Sequence, residues 1–146
     1  MKIVALKTKT SKVSDFRHYE WDLIHPEHFG TKQDKTYWKK EKFIFKAEDK
    51  GQIVGVIQGD YLAGVMFIDQ LIVKNDLRNQ GIGKARMKKA EEIAVKAKLH
   101  KIYLYTGTDW KAVQFYKSLG YITEAKIVNY YQKKDFWIMS KELKQN

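Results

Sequence analysis

The chain has 146 residues, a length typical of one domain, and its 44% apolar and 31% charged content indicates a folded globular protein. It contains no cysteine, which excludes disulfides, cysteine-ligated metals and a cysteine nucleophile. The formal net charge of +11 fits either an anionic partner, such as nucleic acid or a polyanionic cofactor, or a solvated lysine-rich surface.

Charge distribution and hydropathy disfavour nucleic acid and membranes as partners. The lysines are spread from Lys2 to Lys144 instead of forming one basic arm, which favours the solvated surface. The longest apolar run, residues 61–68, is too short to cross a bilayer. The N-terminus has only four consecutive apolar residues, too few for the core of a signal peptide. We therefore expect a single domain over residues 1–146, located in the cytoplasm.

The first third of the chain, which contains the only proline, Pro26, is predicted to be irregular. Within it, residues 14–30 form the one acidic window of a basic protein, with four carboxylates against a single arginine. Two strands are then predicted, "KFIFKAED" and "GQIVGVIQG", around a turn at residues 49–51. The segment "YLAGVMFIDQLIV", residues 61–73, is predicted to be a longer third strand.

A helix is predicted over residues 82–99, because its apolar residues fall on one stripe at ~100° per residue. Arg86 lies inside that stripe and would either extend its head to water or pair with a buried acid. The strand "KIYLYTG" follows, and then a short helix, "DWKAVQFYKSLG", with Asp109 as its N-cap and Gly120 just after its C-cap. The segments "YITEAKIV" and "DFWIMSKEL" are predicted to form a terminal hairpin.

The order of these elements predicts the fold class. Strands come first, and a strand–helix–strand–helix–strand–strand series follows. A helix that crosses over between two strands of one sheet joins strands that are parallel. The prediction is therefore a mixed α/β fold, with a largely antiparallel central sheet, one parallel strand pair and flanking helices.

Gly81 and Gly83 stand where the third predicted strand gives way to the long helix. Glycine lets backbone amides approach a ligand closely, and the unpaired N–H groups of a helix start favour an anion. With Arg78 and Lys84 at its edges the turn would suit a diphosphate, although it could equally be only a structural helix start. Two phosphate motifs fail on spacing: a Rossmann fingerprint needs glycine at position 86, and a P-loop needs glycine at position 78.

Two motifs carry a family resemblance. The first, "RNQGIG" at residues 78–83, resembles the Arg/Gln-x-x-Gly-x-Gly/Ala signature of the GNAT (GCN5-related N-acetyltransferase) superfamily. The second, "AVQFYKSLGY" at residues 112–121, is similar to that superfamily's A-x-x-F-Y-x-x-x-G-F segment. The resemblance extends over the order of elements from residue 42 to residue 142.

The resemblance implies an acetyl-coenzyme A site. Family members splay the strand ending "QLIV" from its parallel neighbour at a bulge, and the pantetheine arm pairs with backbone groups in the gap. This implicates the main-chain groups of Leu71, Ile72 and Val73. Asp109 stands where the family usually has a cofactor-contacting Asn, but an ionised carboxylate cannot donate that hydrogen bond. The diphosphate would be held by the main-chain amides of the glycine turn, which comprises Arg78, Asn79, Gln80, Gly81, Ile82, Gly83 and Lys84.

Two side chains are candidates for the chemistry. Tyr116 matches the family's tyrosine, which implies that its hydroxyl protonates the departing thiolate; alternatively it is a core aromatic of an amphipathic helix. Asp69 is the candidate base for the amine; alternatively it is a strand-edge carboxylate paired with a lysine. The family also implies an oxyanion contact with a backbone N–H at a Leu71–Ile72 bulge. Without a cysteine, direct attack in a ternary complex is favoured.

These features predict an N-acetyltransferase that uses acetyl-coenzyme A as cosubstrate, needs no metal and acetylates a primary amine. The acidic window corresponds to the region that caps the acceptor site in the superfamily, so Glu20, Asp22 and Glu27 are candidate substrate contacts. The acceptor would then be cationic: a small amine, an amino sugar, a lysine side chain or a peptide N-terminus. The histidines of "HPEH", residues 25–28, are weak metal candidates because no third ligand is evident.

A different class of function is also compatible with the sequence. A non-catalytic module with the same fold could bind RNA or ribosomes through its basic surface. The aromatic cluster "NYYQKKDFW", residues 129–137, could line an acceptor pocket, form a homodimer contact or pack the terminal hairpin. Salt-dependent RNA binding without thiol release from acetyl-coenzyme A would favour the non-catalytic module.

Overall fold

The computed structural model describes residues 2–144 and divides them into two compact units. The first unit ends at Thr36 and contains one helix, α1 (Ser11–Phe29). The second unit begins at Tyr37 and contains a six-stranded sheet with two helices. None of the helices within the described range is long and apolar enough to span a membrane.

Helix α1 corrects the prediction that the N-terminal third is irregular. The Thr10 side chain accepts a hydrogen bond from the Val13 N–H and caps the start of the helix. Gly30 ends it in the left-handed region with φ of +71°, and its N–H donates to the Pro26 carbonyl. The helix is hard to recognise because its apolar residues do not gather on one face. Pro26 lies inside the helix, in its last turn, and lacks the N–H that would donate to the Asp22 carbonyl.

The second unit has strands and helices in the predicted order. Its sheet order is β1-β2-β3-β4-β6-β5, with antiparallel neighbours except for β3 and β4, which are parallel and joined by α2. The predicted mixed, largely antiparallel α/β fold is thereby confirmed. The bounds of its elements are β1 Glu41–Asp49, β2 Gln52–Leu62, β3 Val65–Val73, α2 Ile82–Lys96, β4 Lys101–Gly107, α3 Ala112–Ser118, β5 Ile122–Ile127 and β6 Phe136–Glu142.

The third strand begins later than the sequence predicts. Strand β2 continues to Leu62, and a tight turn at Ala63 and Gly64 separates it from β3. Both turn residues have positive φ, +49° and +79°, as hairpin turns of this kind require. The prediction of one strand over residues 61–73 is wrong because the apolar run continues through the turn without a usual turn dipeptide.

The apolar stripe of α2 packs into the core as predicted. Met87, Ala90 and Ala94 are fully buried. Arg86 follows neither predicted alternative: its Nη1 donates to the main-chain carbonyl of Lys46 at 2.8 Å, and its Nε is buried without a partner among the described residues. The guanidinium therefore ties α2 to β1 through the backbone.

Helix α3 begins three residues after Asp109, so the prediction of an Asp109 N-cap is wrong. The N-cap position is Lys111, which makes no side-chain capping bond. A tight turn precedes the helix, in which the Trp110 N–H donates to the Gly107 carbonyl at 3.1 Å and the Trp110 ring covers Gly107. Gly120 follows the last helical residues with φ of +87°, as predicted.

Candidate active site

The parallel strands β3 and β4 diverge in the middle of the sheet. They pair over only four residue pairs, from Val65–Lys101 to Ile68–Leu104. Beyond that point the facing edges of both strands have no strand partner, although β2 and β6 still pair with their outer edges. The chain thus forms the gap that the family resemblance implies.

The bulge that accompanies this divergence lies at Asp69. Gly59 of β2 pairs with Ile68 and Gln58 pairs with Gln70, so Asp69 is the extra residue without a partner on β2. Leu71 keeps its regular pair on β2, as does Ile72. The prediction of a bulge at Leu71–Ile72 is therefore wrong by two to three residues.

A groove of about 900 Å³ follows the gap from the bulge to the start of α2. It brings together eleven of the residues predicted for the site. Gln80 and Asp109 are not among the residues that line it. The predicted residues that do line it are Asp69, Leu71, Ile72, Val73, Arg78, Asn79, Gly81, Ile82, Gly83, Lys84 and Tyr116.

The wide end of the groove contains the glycine turn. Gly81 is the N-cap of α2 with φ of +83°, and apart from its chain neighbours none of the residues 2–144 lies within 4 Å of the place where a Cβ would stand. The Ala85 N–H donates to the Gly81 carbonyl at 2.9 Å, so the N–H groups of residues 82–84 precede the first bond of the helix. Gly83 faces Phe115, whose ring would lie 3.2 Å from an added Cβ. The turn therefore offers open backbone donors and a helix dipole to an anion.

Tyr116 is both a core aromatic and a residue of the groove wall. Its side chain is only 8% exposed and packs edge-to-face against Phe115 and Tyr121. The residue also lines the groove, on the side formed by α3. Burial raises the pKa of Tyr116 to about 12, because the phenolate would lose its solvation. The phenol therefore stays protonated at neutral pH, as a proton donor must.

The Asp69 side chain is exposed, lines the groove and accepts a hydrogen bond from the side-chain amide of Gln58. The Gln58 Nε2 donates to its Oδ2 at 2.8 Å. No ion pair within residues 2–144 joins it to a lysine, so the alternative of a lysine-paired carboxylate is not what the structure has. A second cavity, of about 510 Å³ over β1 to β3, also borders Asp69 and contains Phe67 and Asp60 in its wall. Asp69 therefore stands between two cavities.

Thr106 is a groove residue that the sequence analysis did not identify. It is 2% exposed, and its hydroxyl oxygen is buried without a hydrogen-bond partner among the described residues. It follows Ile102 and Leu104 on the buried face of β4 and lines the groove. A polar residue at the third apolar position of a strand was the only available signal in the sequence.

The three candidate acids of the acidic window lie on α1, in the first unit. Their side chains are exposed. At ~100° per residue, Glu20 and Glu27 share one face of the helix, whereas Asp22 lies about 200° from Glu20. The helix cannot turn all three towards one ligand, and their role in binding an acceptor stays a prediction.

The histidines of the "HPEH" segment also lie on α1. His25 is buried, and its Nδ1 is 2.7 Å from the Thr31 carbonyl oxygen. His28 lies beside the Trp21 ring. Across residues 2–144, no three His, Asp or Glu side chains are close enough together to hold a metal ion.

Comparison with solved structures identifies the fold. An acetyltransferase from Bacillus cereus shares 19% identity at a TM-score of 0.70, with 96% of this chain and 98% of that chain covered. The ribosomal-protein-S18-alanine N-acetyltransferase of Escherichia coli shares 14% sequence identity at a TM-score of 0.67, with 96% of this chain and 94% of that chain covered. A GNAT family acetyltransferase from Elizabethkingia anophelis with acetyl-CoA bound shares 18% sequence identity at a TM-score of 0.64, with 68% of this chain and 75% of that chain covered. At sequence identities this low, the structural similarity shows that the chain has the same fold as these proteins.

The sequence itself provides the family assignment. No curated protein matches the chain. A family model described as the acetyltransferase (GNAT) family matches residues 13–121, which is about three quarters of the chain. The protein therefore belongs to the GNAT acetyltransferase family.

Proposed function

We propose that the protein is an N-acetyltransferase that transfers the acetyl group of acetyl-coenzyme A to a primary amine. One observation carries the proposal: a single groove runs from the open amides of a helix start, along an unpaired strand edge, to the bulge at Asp69, and Tyr116 also lines this groove. The Elizabethkingia anophelis neighbour, which has acetyl-CoA bound, and the Escherichia coli N-acetyltransferase support it.

The groove fits the parts of acetyl-coenzyme A in order. The turn at residues 78–84 would hold the diphosphate through its backbone N–H groups and the charges of Arg78 and Lys84. The free edge of β3 from Leu71 to Val73 would pair with the amides of the pantetheine arm. The thioester would then lie at the narrow end, beside Asp69.

The residues at the narrow end can manage the protons and the charge of acyl transfer. Asp69, directly or through a water, would accept a proton from the ammonium, and the free amine would attack the acetyl carbon. Main-chain N–H groups on the free edge of β3 next to the bulge would stabilise the charge on the carbonyl oxygen. As the C–N bond forms and the C–S bond breaks, Tyr116 would give its proton to the thiolate, and the second proton lost by the attacking nitrogen would restore the phenol. No covalent acetyl-enzyme is required.

The acceptor is proposed to be a small cationic amine, an amino sugar, a lysine side chain or a peptide N-terminus. The test is to follow free thiol while the protein turns over acetyl-coenzyme A with a panel of these four amine classes. We expect at least one class to raise thiol release well above a blank without amine. If the protein binds coenzyme A but no amine raises thiol release, a non-catalytic role replaces the proposal.

Replacing Asp69 by Asn should lower kcat/KM for the amine by about 10²-fold, the lower end of what a general base contributes. The amide oxygen of Asn can still accept the Gln58 hydrogen bond, so the local structure is expected to persist.

Asp60→Asn is the matched control for this variant. Asp60 borders only the second cavity and is ion-paired with Lys40 at 3.3 Å. We expect its kcat/KM for the amine to stay close to that of the wild type. Equal losses of rate in both variants would show that charge around the acceptor, and not a base at Asp69, controls the reaction.

A further inference from the structure

The hydroxyl of Thr106 is the one groove-lining side-chain group that is both fully buried and without a hydrogen-bond partner among residues 2–144. A buried hydroxyl without a partner is destabilising relative to an apolar group of the same shape. Such groups are rare in folded proteins, and each calls for a partner outside the chain, either a ligand or a bound water. Valine would fill the same space on this strand without that penalty.

The position of Thr106 along the gap decides which ligand atoms it can reach. The last pair that joins β3 to β4 is Ile68–Leu104, and Thr106 stands two residues further towards the open end. At a strand rise of ~3.3 Å per residue, this is about 7 Å from the narrow end of the gap. Its main chain pairs with Trp137 on the far side, so its other edge borders the gap.

The direction of the cosubstrate in the groove follows from the two ends already described, so the next step rests on the proposed function. In the proposed function the diphosphate would lie at the open end and the thioester at the narrow end, beside Asp69; both ends belong to the same groove. In acetyl-coenzyme A, two methylene groups separate the thioester sulfur from the first amide of the pantetheine arm. A group set back by two strand residues from the thioester is therefore level with that amide.

We propose that Thr106 is a cosubstrate-positioning residue whose hydroxyl hydrogen-bonds the pantetheine amide next to the thioester. A hydroxyl can donate to the amide carbonyl or accept from the amide N–H, so it suits this group in either orientation. The contact fixes how far the arm enters the gap and hence where the acetyl carbon stands relative to Asp69 and Tyr116. The unpaired hydroxyl is the energetic cost of a site preorganised for the arm.

The test compares Thr106→Val with Thr106→Ser, using calorimetry with two ligands. Coenzyme A has the pantetheine arm, and adenosine 3′,5′-bisphosphate lacks it. Valine keeps the shape and removes the hydroxyl, so it should weaken coenzyme A binding by roughly three- to tenfold, the value of one hydrogen bond. Serine should bind coenzyme A within about twofold of the wild type. The affinity for the bisphosphate should be the same in all three proteins.

Thermal unfolding without ligand separates this role from a structural one. Because valine removes a buried unpaired hydroxyl, the Tm of Thr106→Val should equal or exceed that of the wild type. The proposal is overturned if the valine variant binds coenzyme A normally, or if it loses affinity for both ligands equally. A wild type that binds no coenzyme A would overturn the proposed function and this inference together, whereas a normal valine variant overturns the inference alone.

Discussion

Tyr116→Phe should lower kcat by at least about 10²-fold, because it removes the proton donor for the leaving thiolate. Its affinity for coenzyme A should stay within about twofold of the wild type, because phenylalanine keeps the ring that packs against Phe115 and Tyr121. Steady-state kinetics with saturating acetyl-coenzyme A measures the first quantity, and calorimetry measures the second. The pKa of about 12 adds a condition: the phenol stays protonated to pH 10, so its ionisation should not limit kcat below that pH.

Tyr121→Phe is a control of the same type. Tyr121 is buried beside Tyr116, with ring centroids 5.9 Å apart, but its hydroxyl donates to Glu91 at 3.4 Å and the residue does not line the groove. We expect this variant to keep its kcat, with at most a small loss of stability. A normal kcat in Tyr116→Phe, or equal losses in both variants, would remove Tyr116 from the mechanism.

Gly81→Val should weaken coenzyme A binding by about 10²-fold, since hydrogen bonds from backbone N–H groups to a charged diphosphate are among the stronger ones. Two effects act together. A β-branched residue strongly disfavours φ of +83°, so the backbone of the turn must shift. The side chain would also enter the open space over the turn, where no described residue other than its chain neighbours lies within 4 Å of the Cβ position.

Gly51→Val separates loss of the site from loss of folding. Gly51 lies in the β1–β2 turn with φ of +77°, and its Cβ position is equally open. Both variants should therefore lower Tm by similar amounts in thermal unfolding, while only Gly81→Val loses affinity in calorimetry. If coenzyme A binds normally to Gly81→Val, the diphosphate does not lie on this turn.

Features that depend on a few adjacent residues were predictable. The glycine turn was recognised because the conformational freedom of Gly81 and the donors of a helix start are local properties. Tyr116 was placed on the right helix, and the parallel pair joined by α2 followed from the order of elements.

Features that depend on distant contacts or on unusual turns could not be predicted from the sequence. The bulge at Asp69 results from a register shift against Gln58 and Gly59, which no local pattern in β3 encodes. The start of α3 depends on the turn in which Trp110 covers Gly107, so the favourable capping chemistry of Asp109 was misleading. The unpaired hydroxyl of Thr106 is a property of the whole groove, because it depends on what does not surround the side chain.

The divergence of β3 and β4 also leaves the two halves of the sheet joined by few backbone hydrogen bonds. Only four residue pairs join the half made of β1 to β3 with the half made of β4, β6 and β5. A pantetheine arm that hydrogen-bonds to the free edge of β3 and to Thr106 on β4 would act as a short additional strand that connects the two halves of the sheet. Slow amide exchange along both facing edges would then depend on an occupied groove, and the cosubstrate would be a structural part of the sheet as well as a reactant.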